Sequence, residues 1–211
     1  MGQVLTYAVL GLVGLRLVSA TRLSFSRDGR SAVRRVLRTM GWRHVWRVPF
    51  VLAGVIATAS GLLLVPGLDW GWWTALGGQG NPITGTTDRT SGTVWEWLIP
   101  LVFLLLVTPA LPLFAMAEER MFRQGAEGWT RWHRVRRTIE FGLIHAVIGI
   151  PIGVALALAV GGASFMWAYL REFRRTGDQA RAVLESTAAH TTYNAIILGV
   201  VLVTVVVTAL A

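Results

Sequence analysis

Three short motifs in this chain bring together side chains that can activate a water molecule, and the ends of each motif lie four residues apart. The motifs are Glu118-Glu119-x-x-x-Arg123, Phe141-x-x-x-His145 and His190-x-x-x-Asn194. A four-residue step places both ends of a motif on one face of a helix. Each motif lies where an apolar stretch meets an arginine-rich one, and ionisable groups inside a membrane are costly. The motifs therefore predict a hydrolytic site inside a membrane protein.

The composition is typical of an integral membrane protein. Of the 211 residues, 54% are hydrophobic, and the mean hydropathy is +0.55, whereas soluble domains hold about 45–50% apolar residues. The chain has no cysteine, which excludes disulfides, thiol chemistry and metal sites with cysteine ligands. All 20 basic residues are arginine, which is typical of a GC-rich genome and favours a bacterial inner or plasma membrane.

The formal net charge of +9 has a simple explanation in a membrane protein. The arginines flank the apolar stretches, as they do in proteins that keep their basic loops in the cytoplasm. We therefore expect the lipid bilayer, and no nucleic acid, as a partner of this chain.

The apolar stretches set the expected topology, and they span residues 2–20, 48–66, 94–117, 138–170 and 187–211. A crossing needs roughly 20 helical residues, so residues 138–170 are long for one crossing and short for two. Both flanks of this stretch are arginine-rich, which predicts two short or tilted helices with a turn near Gly149–Gly153. The sequence thus predicts one all-α domain over residues 1–211, a bundle of about six transmembrane helices with both termini outside.

Residues 22–47 form a basic arm with eight arginines and a single acid, Asp28. From Ser31 to Trp46, apolar residues recur at roughly helical spacing. This pattern predicts either an amphipathic helix on an anionic leaflet or a solvated cytoplasmic loop. The tryptophans that bracket residues 67–94 indicate an aromatic belt at the membrane surface.

The expected topology places the polar groups of the three motifs at a similar depth. The helix of the first motif runs toward the cytoplasm, and the helices of the second and third motifs are expected to start near Arg137 and Glu185. At 1.5 Å per residue, Glu118, His145 and His190 then lie roughly 10, 12 and 8 Å from the cytoplasmic helix ends. The sequence therefore predicts one polar site near the cytoplasmic side.

The two glutamates of the first motif have different expected roles. Glu119 and Arg123 form an i,i+4 pair in the favoured order, and arginine can clamp a carboxylate at two points. Glu118 lies about 100° further round the helix. It is therefore the freer carboxylate and the candidate general base.

The other two motifs supply candidate donors and a packing residue. His145 can hold the water or protonate a leaving group. His190 and Asn194 face one direction, and the amide NH₂ of asparagine is a neutral donor suited to an oxyanion. Phe141 lies one turn from His145, and we expect it to pack beside the imidazole rather than react.

The order of these motifs resembles the CPBP family of CAAX proteases and bacteriocin-processing enzymes, also called the type II CAAX prenyl endopeptidase or ABI family. The resemblance covers residues 100–205, and the segment from Trp167 to Gly177 is similar to the one that precedes the family's third motif. The resemblance implies a glutamate-type intramembrane endopeptidase with a CPBP-like catalytic core and a cavity that opens toward the cytoplasm.

The resemblance also implies a role for each motif residue. Glu118 and His145 would activate the water. His190 and Asn194 would stabilise the oxyanion, and Arg123 would hold the site together, partly through its glutamate partner.

The metal requirement stays open at this point. Two histidines and a glutamate could form a zinc site. The chain lacks the HExxH spacing on one helix that makes zinc the first expectation. We therefore favour chemistry without a cofactor, with zinc as the alternative.

Two other functions remain compatible with the motifs. A non-catalytic relative would bind peptides or partner proteins, as in bacteriocin self-immunity or membrane-protein assembly, and would tolerate changes at Glu118. A small transporter or proton relay would also use intramembrane glutamate and histidine, but the motif residues cluster at one depth. The favoured function is therefore the hydrolysis of peptide bonds in membrane-associated peptides or proteins.

Overall fold

A computed structural model describes residues 2–72, 80–81, 86–87 and 92–210, and these residues are almost entirely helical. The helices are α1 (Gly2–Ser24), α2 (Arg27–Thr39), α3 (Trp42–Val45), α4 (Val48–Leu62), α5 (Trp95–Phe122), α6 (Arg131–Ile144), α7 (Ile152–Thr176) and α8 (Gln179–Leu210). Two 3-10 turns cover Ala126–Gly128 and His145–Ile148, and an antiparallel pair of two-residue strands joins Gly80–Asn81 to Thr86–Thr87. The predicted all-α class is confirmed.

Within the described ranges, four segments are long and apolar enough to cross a membrane. They are Trp42–Leu62, Trp95–Gly128, Ile152–Thr176 and Gln179–Val207. The pair α1 and α2 would add a fifth, although the two helices meet at an angle of 84°. These are the helices of a multi-pass membrane protein. The expected count of about six crossings is not confirmed, because α6 is only 14 residues long and carries four arginines.

The chain reverses between α6 and α7 where the sequence predicts a turn. Gly149 has φ 90°, a left-handed conformation that glycine adopts without a steric penalty. Pro151 precedes the first residue of α7, a position where its missing N–H costs nothing. The N–H groups of Ile152 and Gly153 donate to the carbonyls of Trp70 and Leu68 at 3.0 and 2.7 Å. These bonds fix the turn against the segment that follows α4.

Two helices begin six residues earlier than the sequence suggests. Helix α6 starts at Arg131 rather than near Arg137, because the side chain of Thr130 accepts the N–H of His133 and caps the helix. Helix α8 starts at Gln179 rather than near Glu185, and its first turn is capped by Asp178. The expected starting points of the two helices are therefore wrong, but the equal shifts leave the difference in depth between His145 and His190 unchanged.

The basic arm is helical over most of its length, because the end of α1 and all of α2 and α3 fall within it, and a continuous loop is not what the structure has. Ser26 caps α2 by accepting the N–H of Gly29 at 3.0 Å. Helix α2 buries Val36 completely and packs against α1, α5 and α8. One face of the arm is therefore part of the bundle, and its arginines lie on the other faces.

The centre of the bundle lies beside the three motifs. Helix α5 packs against α8, α6 packs against α7, and α7 also contacts α4 and α8. Buried side chains from four of these helices and from the end of α5 meet in one apolar cluster, which comprises Val48, Phe122, Phe141, Phe165 and Tyr193. Any polar group that enters this region must find its partners inside the protein.

Candidate active site

The structure brings together one residue from each of the three motifs. Glu118 lies near the end of α5, His145 follows α6, and His190 lies in the first half of α8. Oε2 of Glu118 lies 3.9 Å from Nε2 of His145 and 3.8 Å from Nε2 of His190. A carboxylate and two imidazoles from three separate helices thus converge on one small volume.

Glu119 is fully buried and has three polar partners. Nδ1 of His190 lies 2.9 Å from Oε1 of Glu119, and the guanidinium of Arg123 lies 3.1 Å from the same oxygen. The hydroxyl of Ser186 contacts the other oxygen of Glu119 and lies 3.0 Å from the carbonyl of Phe165, so its single proton serves one of these acceptors at a time. The predicted pairing of Glu119 with Arg123 is confirmed.

Both histidines turn the same nitrogen toward Glu118. A carboxylate and a carbonyl only accept hydrogen bonds, so the contact with Glu119 requires a proton on Nδ1 of His190. The carbonyl of Phe141, 2.8 Å away, imposes the same requirement on Nδ1 of His145. In the neutral imidazoles each Nε2 is therefore an acceptor, and both acceptors face Oε2 of Glu118.

The meeting point of these three atoms is suited to a water molecule. Oε2 of Glu118 is shielded from solvent and has no hydrogen-bond partner among the described residues. The separations of 3.8 and 3.9 Å are too long for direct hydrogen bonds, and a water carries two protons that can be donated to such acceptors. A water bridging these groups would satisfy the buried oxygen and would be held next to a base.

The same groups are less well placed as metal ligands. Ligands at 2.0–2.1 Å from a tetrahedral zinc ion lie roughly 3.3 Å from one another, which is closer than the two nitrogen–oxygen separations here. Across the described parts of the chain, no three histidine or acidic side chains have the spacing of metal ligands. The preference for chemistry without a cofactor stays a prediction.

The charged groups of the site differ in their exposure. Glu119 and Arg123 are fully buried and pair with each other, whereas the side chain of Glu118 is 30% exposed and faces the two histidines. Because Nδ1 of His190 donates to Glu119, Nε2 of His190 can donate a hydrogen bond only when the imidazole carries a second proton.

Arg123 is fully buried and connects the polar site to the apolar cluster. Its guanidinium lies 4.0 Å from the ring centre of Phe141, and one of its terminal nitrogens donates to the carbonyl of Gly162 at 3.2 Å. The contact with Glu119 is close but poorly aligned for a hydrogen bond. The ion pair with Glu119 and the face of the Phe141 ring therefore stabilise this cation beside its hydrogen bond to Gly162.

Aromatic rings fix the orientation of both imidazoles. Phe165 stacks on His190 with a centroid distance of 4.4 Å and an interplanar angle of 18°. Phe141 makes edge contacts with His145 and His190 at 5.0 and 5.5 Å. Phe141 is therefore a packing residue, as its position one turn from His145 suggests, and its carbonyl also orients that histidine.

Asn194 is the motif residue with the least support from the geometry. It is half-buried, one turn beyond His190 on α8. Its side chain makes no hydrogen bond within the part of the chain that the structure describes. A role for Asn194 in binding an oxyanion therefore requires a bound substrate to bring its amide into contact.

Three residues of the site lie outside the three sequence motifs. Ser186 holds Glu119, Phe165 stacks on His190, and Gly162 accepts the hydrogen bond of Arg123. Ser186 could have been found, because it lies four residues before His190 on the same helix face. The other two carry no signal of their own within an apolar stretch.

Gly162 must stay small because α7 passes directly over the site. A Cβ atom at this position would lie 2.7 Å from the ring of Phe141 and 3.1 Å from the guanidinium of Arg123. We expect the change Gly162→Ala to lower the free energy of unfolding by about 1–3 kcal/mol, measured by denaturant titration in detergent.

The neighbouring residue Gly161 provides a matched control. A Cβ atom there would meet only the ring of Phe165, at an ordinary 3.9 Å. Gly161→Ala should leave stability unchanged or raise it slightly, because alanine favours the helix. Equal losses in the two variants would contradict the close approach at Gly162.

No protein-family model matches this chain, and no curated protein and no solved structure is significantly similar to it. Membership of the CPBP family is therefore a proposal that rests on the motifs and on the geometry described above.

Proposed function

We propose that this protein is an intramembrane endopeptidase of the CPBP type, which hydrolyses peptide bonds of membrane-associated peptides or proteins. The observation that carries the proposal is the position of the Glu118 carboxylate, between two histidine nitrogens at the end of a bundle of membrane helices. We also propose that the chain crosses a bacterial plasma membrane about six times and keeps its arginine-rich loops in the cytoplasm.

The proposed reaction begins with a water held between Glu118 and His145. Glu118 removes a proton from the water as its oxygen forms a bond to the carbonyl carbon of the scissile peptide. The carbonyl oxygen becomes an oxyanion, which accepts hydrogen bonds from protonated His190 and from the amide of Asn194. The carbon–nitrogen bond then breaks, and the proton on Glu118 passes to the departing amine.

The second glutamate supports this reaction without taking part in the bond changes. Because Glu119 binds both His190 and Arg123, it fixes the orientation of the His190 ring. Arg123 balances the charge of Glu119. The arrangement thus leaves one carboxylate free to act as the base.

The proposal is tested by cleavage of a membrane-anchored, quenched fluorescent peptide library. We expect the purified protein to release fluorescence at the same rate with and without a zinc chelator. His190→Ala should lower the rate by about 100-fold or more, since it removes an oxyanion donor.

Two other results would give the site residues different roles. Loss of cleavage with the chelator and recovery with Zn²⁺ would make Glu118, His145 and His190 metal ligands. No cleavage by a well-folded sample, together with saturable binding of a library peptide, would favour a non-catalytic peptide-binding protein.

A further inference from the structure

A polar cavity lies outside the proposed active site, and its wall is strongly cationic. It has a volume of about 260 Å³ and is formed by α3, α7, α8 and the residue that precedes α4. Four arginines and two glutamates surround the indole of Trp167. This cavity carries a net charge of +2 and takes no part in the proposed hydrolysis.

Two of the four arginines are already neutralised. Arg43 binds both carboxylate oxygens of Glu185, at 3.1 and 2.8 Å. Arg175 binds both carboxylate oxygens of Glu172, at 2.9 and 2.6 Å. Such two-point pairs use the full acceptor capacity that a carboxylate offers to one guanidinium. The surplus of two positive charges therefore belongs to the remaining arginines.

The remaining arginines, Arg47 and Arg171, share one aromatic ring. Their guanidinium carbons lie 4.5 and 5.2 Å from the ring centre of Trp167. Neither arginine forms an ion pair within the residues that the structure describes. A guanidinium that lies over a ring keeps its N–H groups free at its edge, so this pair can donate several hydrogen bonds to one oxyanion.

The surroundings of the cavity indicate where this anion comes from. Trp42 and Phe50 are 76% and 71% exposed, and Trp46 and Trp167 are each nearly half exposed. Exposed aromatic side chains next to arginines are typical of the headgroup level of a membrane, where they contact both lipid tails and polar groups. The cavity volume of about 260 Å³ can hold a lipid headgroup. The exposed aromatic side chains offer apolar surface for the acyl chains.

We propose that this cavity binds the phosphate of an anionic phospholipid, with Arg47 and Arg171 as its two cationic donors and Trp167 as the platform that holds them. The inference does not depend on the proposed hydrolysis, because none of these three residues belongs to the polar site of Glu118.

The test measures binding of short-chain phosphatidylglycerol to the full-length protein in detergent by native mass spectrometry. Replacing Arg47 and Arg171 by glutamine should weaken this binding at least about tenfold, because each arginine supplies a charge-assisted hydrogen bond. Replacing Arg131 and Arg174 by glutamine is the matched control, since these exposed arginines line no part of the cavity. The control should bind within about twofold of the wild type.

A second variant tests the role of Trp167 without changing the charge of the cavity. Trp167→Leu retains all four arginines but removes the platform, and it should also weaken phosphatidylglycerol binding several-fold. Thermal unfolding of each variant shows whether it is folded. Equal loss in the Arg131 and Arg174 control would overturn the proposal, since the lipid would then respond only to total charge.

Two further ligands separate the possible sources of the phosphate. Zwitterionic phosphatidylcholine should bind weakly, and its affinity should not depend on Arg47 or Arg171. Inorganic phosphate should compete only at concentrations far above that of the lipid. Binding of inorganic phosphate as tight as that of phosphatidylglycerol would overturn the assignment to a lipid.

Discussion

Replacement of Glu118 by glutamine should lower the rate of peptide cleavage by about 1,000-fold, while the protein stays folded. A glutamine side chain has nearly the same size and can still contact a bridging water, but it cannot accept the proton of the attacking water. General bases contribute about 100- to 10,000-fold to enzymatic rates. The side chain is partly exposed and makes no direct hydrogen bond, so little stability should be lost. The measurement is the initial rate of peptide cleavage beside a thermal unfolding curve.

The control for this variant is a glutamate that carries charge but faces no histidine. Glu140 on α6 pairs with Arg136 and Arg137 and is partly exposed. Glu140→Gln should keep the wild-type rate within about twofold. If Glu118→Gln cleaved peptides as fast as the wild type, Glu118 would not be the base, and another group would have to activate the water.

The sequence predicts the meeting of Glu118, His145 and His190 because it depends on helical spacing and chain reversal alone. Each motif steps by four residues, and glycines at 149 and 177 in left-handed conformations end the helices that must turn back. Helix α6 and helix α8 both begin six residues early, so their shifts cancel. The relative depth of the two histidines therefore survives errors in both helix boundaries.

Other features of the site depend on how side chains pack, and no spacing rule gives them. The sequence does not show that the ring of Phe165 lies flat on His190, because any apolar residue of α7 could have filled that position. Nor does it separate Arg47 and Arg171 from the other arginines of the basic flanks. Their distinction arises only because two neighbouring arginines are taken up by glutamates.

Breaking the buried pair of Glu119 and Arg123 should strongly destabilise the protein. Both side chains are fully buried, and Arg123 is the positive charge that lies 3.1 Å from the Glu119 carboxylate. Arg123→Met keeps most of the side-chain volume but leaves the carboxylate without this charge. Removal of one partner of a buried pair costs about 3–5 kcal/mol, so we expect the free energy of unfolding in detergent to fall by that amount.

The exposed pair of Arg136 and Glu140 is the control for this stability measurement. Its nitrogen and oxygen lie 3.4 Å apart, and the two side chains are 57% and 38% exposed. Exposed pairs contribute about 0–1 kcal/mol. Arg136→Met should therefore change the free energy of unfolding by less than about 1 kcal/mol.

A double variant distinguishes the loss of a favourable contact from the cost of a stranded charge. When Glu119→Gln is combined with Arg123→Met, no buried charge is left unpaired, and the amide oxygen of the glutamine can still accept a hydrogen bond from His190 or Ser186. The double variant should then be more stable than Arg123→Met alone. If the two losses simply added, the pair would contribute as two independent packing residues. The role that we assign to Glu119, as an ionised carboxylate that is matched by Arg123 and orients His190, would then lose its foundation.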